Sequence, residues 1–155
     1  MELSGRTVVA APRSRVWQTV IDPRNVAACA PGLDSIEAVD ERHFRATARV
    51  RVAFFTVGLT VELERLATQP MDRVELAAHG DAAGSRIEAR GEIRLGGPDA
   101  GPTTVDWRAD LEPTGAVASL GEGVLRPMAT KLVDDGIACL KARLEAGAGS
   151  EPAPG

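Results

Sequence analysis

Tyrosine is absent from this 155-residue chain, and the few phenylalanines and tryptophans bring the aromatic content to only 3%. Branched aliphatic and small side chains must therefore fill the interior. Histidine occurs only as His43 and His79, each beside turn-like residues at a strand edge and neither paired in sequence with a second metal ligand. Both read as surface residues. No Gly-x-Ser-x-Gly elbow and no phosphate-cradling glycine loop joins a strand to a helix. No catalytic residue and no metal ligand is assigned. Cys29 and Cys139 are the only cysteines and form no Cys-x-x-Cys, so they read as small core residues in a reducing compartment. No run of ~18 apolar residues is present, so no integral membrane segment is encoded. Val8 to Ala11 is too short for the apolar part of a signal peptide and stops at Pro12. A cytoplasmic protein is expected. Positive charge is scattered and the formal net charge is −4, which leaves no electrostatic footprint for nucleic acid.

What the sequence does have is period two. Glu2 to Ala10, rich in β-branched residues and ended by a proline, predicts a first strand. Pro12 then Val16, Trp17, Val20 and Ile21 predict a short helix, and Asp22-Pro23 an N-cap with proline at the first position of a second one, closed by Pro31-Gly32. After a short strand at Ser35 to Val39, Phe44, Ala46, Ala48, Val50 and Val52 alternate with Arg45, Thr47, Arg49 and Arg51. Phe55 to Leu63 alternates likewise against Thr and Glu, so these two runs are expected to pair. Further strands follow around Val74 to Ala78, Ile87 to Leu95 and Val105 to Leu111. Such alternation belongs to an antiparallel sheet covered on one face.

The cover is the last helix, expected from Ala116 to about Ala146, with Ser119 and Glu122 as a capping box. Its apolar positions, Leu125, Met128, Leu132, Ile137 and Leu144 among them, fill one broad side. About 28 residues at ~1.5 Å each make a rod of roughly 42 Å. The fold class is α+β: a seven-stranded antiparallel curved sheet wrapped around a long C-terminal helix, with two short helices after the first strand. Residues 1–146 make one domain and 147–155 a disordered Gly, Ala, Pro and Ser tail. The sheet's inner face is low in volume at Ala46, Ala48, Gly58, Ala78, Ala89, Gly91 and Ala109. Two readings follow: a cavity between sheet and helix, or a close approach of the two.

Several stretches carry a family resemblance: Pro12-Arg13-Ser14-Arg15-Val16-Trp17, Asp22-Pro23, Ala30-Pro31-Gly32-Leu33, Ala48 to Phe54, Gly91-Glu92-Ile93-Arg94-Leu95, and Ser119-Leu120-Gly121 leading to Lys131-Leu132-Val133. In these the chain resembles the carbon monoxide dehydrogenase G-subunit (CoxG-like) family of the START-like, polyketide-cyclase-like superfamily, over about Met1 to Leu144. The resemblance implies a helix-grip fold with a hydrophobic cavity, a non-catalytic ligand-binding protein with an isoprenoid quinone or lipid as cargo, and a molybdenum hydroxylase of the carbon monoxide dehydrogenase type as partner. Some members carry an apolar C-terminal extension. The polar tail here departs from that pattern. A cyclase-like or hydrolase-like enzyme of the same fold, or an interaction domain with a filled core, are the alternatives. Trp17, Phe44, Phe55, Ala89, Gly91, Trp107, Leu120, Val124, Met128 and Leu132, each in the apolar phase of its element, are expected to line one ligand-binding interior.

Overall fold

The structure, a computed structural model, describes residues 1–30, 32–52 and 55–150, with the side chains of 52, 55 and 147–150 outside the description. Pro31 and the side chain of Phe55, both used above, thus lie outside the described residues.

Strand β1 (Glu2–Val9) is followed by helices α1 (Arg13–Val20) and α2 (Pro23–Ala27). Then come β2 (Leu33–Ala38), β3 (His43–Val52), β4 (Phe55–Gln69), β5 (Arg73–Ala82), β6 (Ser85–Gly96) and β7 (Thr103–Gly115). A 3-10 helix (Ala116–Leu120) leads into α3 (Glu122–Ser150). All strand pairings are antiparallel, in the order β1-β7-β6-β5-β4-β3-β2. β1 and β2 are thus the two edges of one curved sheet.

Local chemistry explains the boundaries. Asp22 caps α2, its carboxylate accepting from the Arg24 amide at 2.9 Å, with Pro23 at the first helical position. The two runs expected to pair do so, Phe44 opposite Leu63 and Arg45 opposite Glu62, whose charges approach to 3.7 Å on the outer face. β4 continues past Leu63 through a register shift between Arg65 and Ala67, where the alternation of the sequence also breaks.

Three expectations need correction. The last helix does not start with a Ser119–Glu122 capping box: Gly121 at φ +82° separates the 3-10 helix from α3. The Ser119 hydroxyl donates back to the Ala116 carbonyl at 2.6 Å, and Glu122 pairs with Arg126 at 2.8 Å instead. At its other end α3 runs to Ser150 rather than stopping near Ala146; the chain has no proline there before Pro152 to interrupt the ladder. Finally, Cys29 and Cys139 are not separate core thiols. They form a disulfide across a sequence separation of 110 residues, with Cα atoms 5.6 Å apart. No short spacing announces such a pair.

The core is concentrated at one end. Val9, Ala11, Val16, Val20, Val74, Leu95 and Leu144 form a buried cluster in which α1 plugs the sheet, and Val16, Val74 and Thr103 are 0% exposed. The buried Thr103 hydroxyl is satisfied by the Ala11 carbonyl at 2.9 Å. α3 lies along β1 and reaches this end. Arg126 near its start donates to the Glu2 carbonyl at 3.0 Å, and Glu145 near its end accepts from the Ala10 amide at 2.9 Å. The intervening helix, about 28 Å at ~1.5 Å per residue, matches about 27 Å of strand at ~3.4 Å per residue.

Candidate functional site

Antiparallel register places directly opposed residues on one face, so the concave surface can be followed row by row. Phe44, buried in the described structure, is opposite Leu63, then Ala78, Ala89 and Leu111. The next row toward the closed end is Leu76, Gly91, Ala109 and Leu3. The one after it is Val74, Ile93, Trp107 and Gly5. Phe44, Ala89, Gly91 and Trp107 therefore share a face, across neighbouring rows, whereas Gly58, expected on that face, is opposite Arg49 and belongs to the outer one.

That face is dry at one end and open at the other. Around Val74 and Val16 solvent is excluded, whereas Leu63, Ala78, Ala89, Leu111, Gly91 and Ala109, equally inward and largely apolar, remain half-buried. Glycine reports the same thing. A Cβ built on Gly91 would meet only the Arg108 carbonyl oxygen, at 3.6 Å, and one on Gly80 only a Val61 methyl, also at 3.6 Å. Among the described residues no atom of α3 comes within van der Waals reach of either. At these two positions the small residues do not serve a close approach of the helix.

Four of the expected lining residues come from the 3-10 helix, which ends at Leu120, and from α3. Met128 is half-buried, while Leu120, Val124 and Leu132 are 42%, 48% and 37% exposed. Large apolar side chains at that exposure leave contact area unfilled. Trp17, like Leu76, Ile93 and Val105, packs against the closed-end cluster. The backbone of Phe55 pairs with Val52; its side chain lies outside the described residues.

Sequence reasoning left out the residues that complete the rows, chiefly Leu63, Leu76, Gly80 and Leu111. Their signal was the register itself, which only pairing reveals. It also left out Arg65, which follows Leu63 in the inward phase of β4. Its guanidinium donates to the Ile21 carbonyl and to the Glu41 carbonyl, each at 2.9 Å. A cation at the C-terminal end of α1 complements the helix dipole and ties α1 to the β2–β3 turn.

Charge sits on the convex face. Arg73 is directly opposite Arg94 and Glu75 opposite Glu92, an unfavourable arrangement relieved diagonally: Glu92 accepts from Arg73 at 2.7 Å and from Arg94 at 3.1 Å. Those hydrogen bonds, Arg73 first, hold the Glu92 carboxyl below the usual carboxylate range. A groove of about 650 Å³ on this side is lined mostly by outer-face residues such as His43, Glu64, His79 and Arg90. The His43 ring lies 2.9 Å from Asp40, and the His79 ring 2.9 Å from an Arg86 nitrogen. A second, polar cleft of about 510 Å³ lies between α1 and the end of α3. Among the described residues no three His, Cys, Asp or Glu side chains are arranged to hold a metal ion, and no helix is long and apolar enough to cross a membrane.

No curated protein matches the chain in sequence. In shape it is similar to a conserved protein from Geobacillus kaustophilus, with a TM-score of 0.86 at 20% identity over 95% of this chain and 97% of that one. It is also similar to the Zhui aromatase/cyclase from Streptomyces, with a TM-score of 0.74 at 15% identity over 99% of both chains. A START superfamily protein from Mycobacterium smegmatis gives 0.70 at 12% identity over 94% and 97%. These likenesses establish the START-like, helix-grip architecture. Residues 5–145, spanning β1 through most of α3, match the carbon monoxide dehydrogenase G-subunit (CoxG) family, and the chain belongs to that family.

Proposed function

We propose that this protein is a non-catalytic carrier of a hydrophobic ligand, an isoprenoid quinone or a lipid, held between the concave sheet and α3. The observation that carries the reading is the half-buried apolar part of the sheet, where a Cβ on Gly80 or Gly91 would meet only an atom of the neighbouring strand within 4 Å. Shape and apolar area supply affinity in such a site. At ~25 cal/mol per Å², a prenyl chain burying a few hundred Å² of its surface gains several kcal/mol before ordering costs. Membership of the CoxG family supports a molybdenum hydroxylase of the carbon monoxide dehydrogenase type as the partner. A cyclase-like enzyme would require polar groups converging on the hollow, and the rows around Ala89 and Gly91 are hydrocarbon. An interaction domain would have a filled interior. Mass spectrometry of an organic extract of the purified chain tests the proposal. A co-purified prenyl quinone or lipid is expected. A clean extract, together with no uptake of ubiquinone or phospholipid from vesicles, would overturn it.

A further inference from the structure

The Cys29–Cys139 disulfide joins parts of the molecule that the sheet keeps apart. Cys139 lies on α3 between its two attachments to β1, the Arg126–Glu2 and Glu145–Ala10 hydrogen bonds. Cys29, buried just after α2, is three residues from Gly32. Gly32 in turn is fastened to β3, its carbonyl accepting from the Arg49 amide at 2.8 Å. At φ +82°, with a Cβ position only 1.9 Å from the Arg49 carbonyl oxygen, this residue has to be glycine. β2 begins at the next residue. Because β1 and β2 are the opposite edges of the sheet, the disulfide completes a path from one edge to the other through α3 and α2. Among the described residues α3 packs along β1 and the 3-10 helix and, through Leu144, against α1, while the covalent bond fastens it to the segment after α2 that leads into β2. Gly136, about one turn before Cys139, lets the helix approach there: a Cβ on it would lie 3.8 Å from the Cys29 carbonyl oxygen.

We infer that this disulfide is a redox latch on the ligand site. Oxidised, it holds α3 against α2 and slows ligand exchange. Reduced, it lets α3 pivot on its β1 attachments and opens the gap toward the β2 edge. This is regulation of the apolar site proposed above and rests on that reading. The chemistry is exchange with a dithiol reductant of the thioredoxin class. A reductant thiolate attacks Sγ of Cys139, the less buried of the two residues, and the sulfur–sulfur bond breaks. Cys29 leaves as the thiolate and takes a proton. The reductant's second thiol then displaces Cys139 as a thiol. Two electrons and two protons pass to the protein, and the reductant becomes a disulfide.

The test uses the full chain and the apolar fluorophore N-phenyl-1-naphthylamine, with its dissociation followed by stopped flow. Iodoacetamide should label neither cysteine before dithiothreitol treatment and both after it. Dissociation should become about tenfold faster on reduction and return to the slow rate after reoxidation with diamide. The Cys29→Ser, Cys139→Ser double variant should be fast with or without dithiothreitol; if it does not fold, the reduction and reoxidation cycle of the unaltered protein carries the test. Labelling without reductant, a fast rate that persists after reoxidation, or equal rates in both redox states would each overturn the latch, equal rates leaving the apolar site standing. Absence of probe binding in every state would instead remove the site, and the latch with it.

Discussion

The indole of Trp107 lies over Gly5 in the neighbouring strand: a Cβ on Gly5 would come 2.7 Å from Cζ2 and 2.9 Å from Nε1. Only the missing side chain lets the ring rest there. Gly5→Val should therefore push the indole toward the hollow, at about 1–3 kcal/mol for overpacking. The expected outcome is a lower melting temperature, a shifted tryptophan emission and weaker ligand uptake together. An unchanged spectrum would mean that the ring has another resting place.

Ala89→Phe and Gly91→Phe should abolish uptake of an apolar ligand while leaving a folded protein. In a packed core such changes cost about 1–3 kcal/mol, but Ala89 is only half-buried and a Cβ on Gly91 would meet only the Arg108 carbonyl oxygen within 4 Å. Thermal melting decides: a large drop for both variants would indicate a filled interior.

The segment from Leu120 to Leu125 is expected to move as a lid. Gly121 interrupts the helical ladder, neither Gly121 nor Gly123 has an atom within 4 Å of a Cβ position, and Leu120 and Val124 are exposed. Pro127 further removes a hydrogen bond from the first turns of α3. Its amides should exchange faster than those from Leu132 to Leu140 and slow when ligand binds. Equal protection along both halves would count against it.

Acid should weaken the fold through Glu92. Its carboxyl is held below the usual range by Arg73 and Arg94, so the folded state favours the ionised form. The resulting stability is present above the unfolded-state value and is lost as pH falls through the folded one. Glu92→Gln should melt lower at neutral pH and show a shallower loss of melting temperature between about pH 5 and 2.

Period two made the sheet legible, including the pairing of β3 with β4 and the inward phase of Phe44, Ala89, Gly91 and Trp107. The helices followed from Pro23 behind Asp22 and from the apolar stripe of α3. Three things were hidden for physical reasons. The Ser119-x-x-Glu122 spacing fits a capping box, but a left-handed Gly121 between the two residues cannot be read from spacing. Cys29 and Cys139 meet only because the sheet curls, which pattern implies without a radius. The division of the concave face into a dry end holding Trp17 and an open end depends on where α1 plugs the curve, and periodicity assigns faces but not depth.

The separation of these two ends has a further consequence. Residues that keep the chain folded, such as Val16, Val74 and Leu144, cluster at the sealed end, while Ala78, Ala89 and Leu111 lie outside that cluster. Replacement at the open end can therefore change what fits inside without threatening the scaffold. A molecule partitioned this way can vary its half-buried surface from one relative to the next while the sealed end keeps the same architecture.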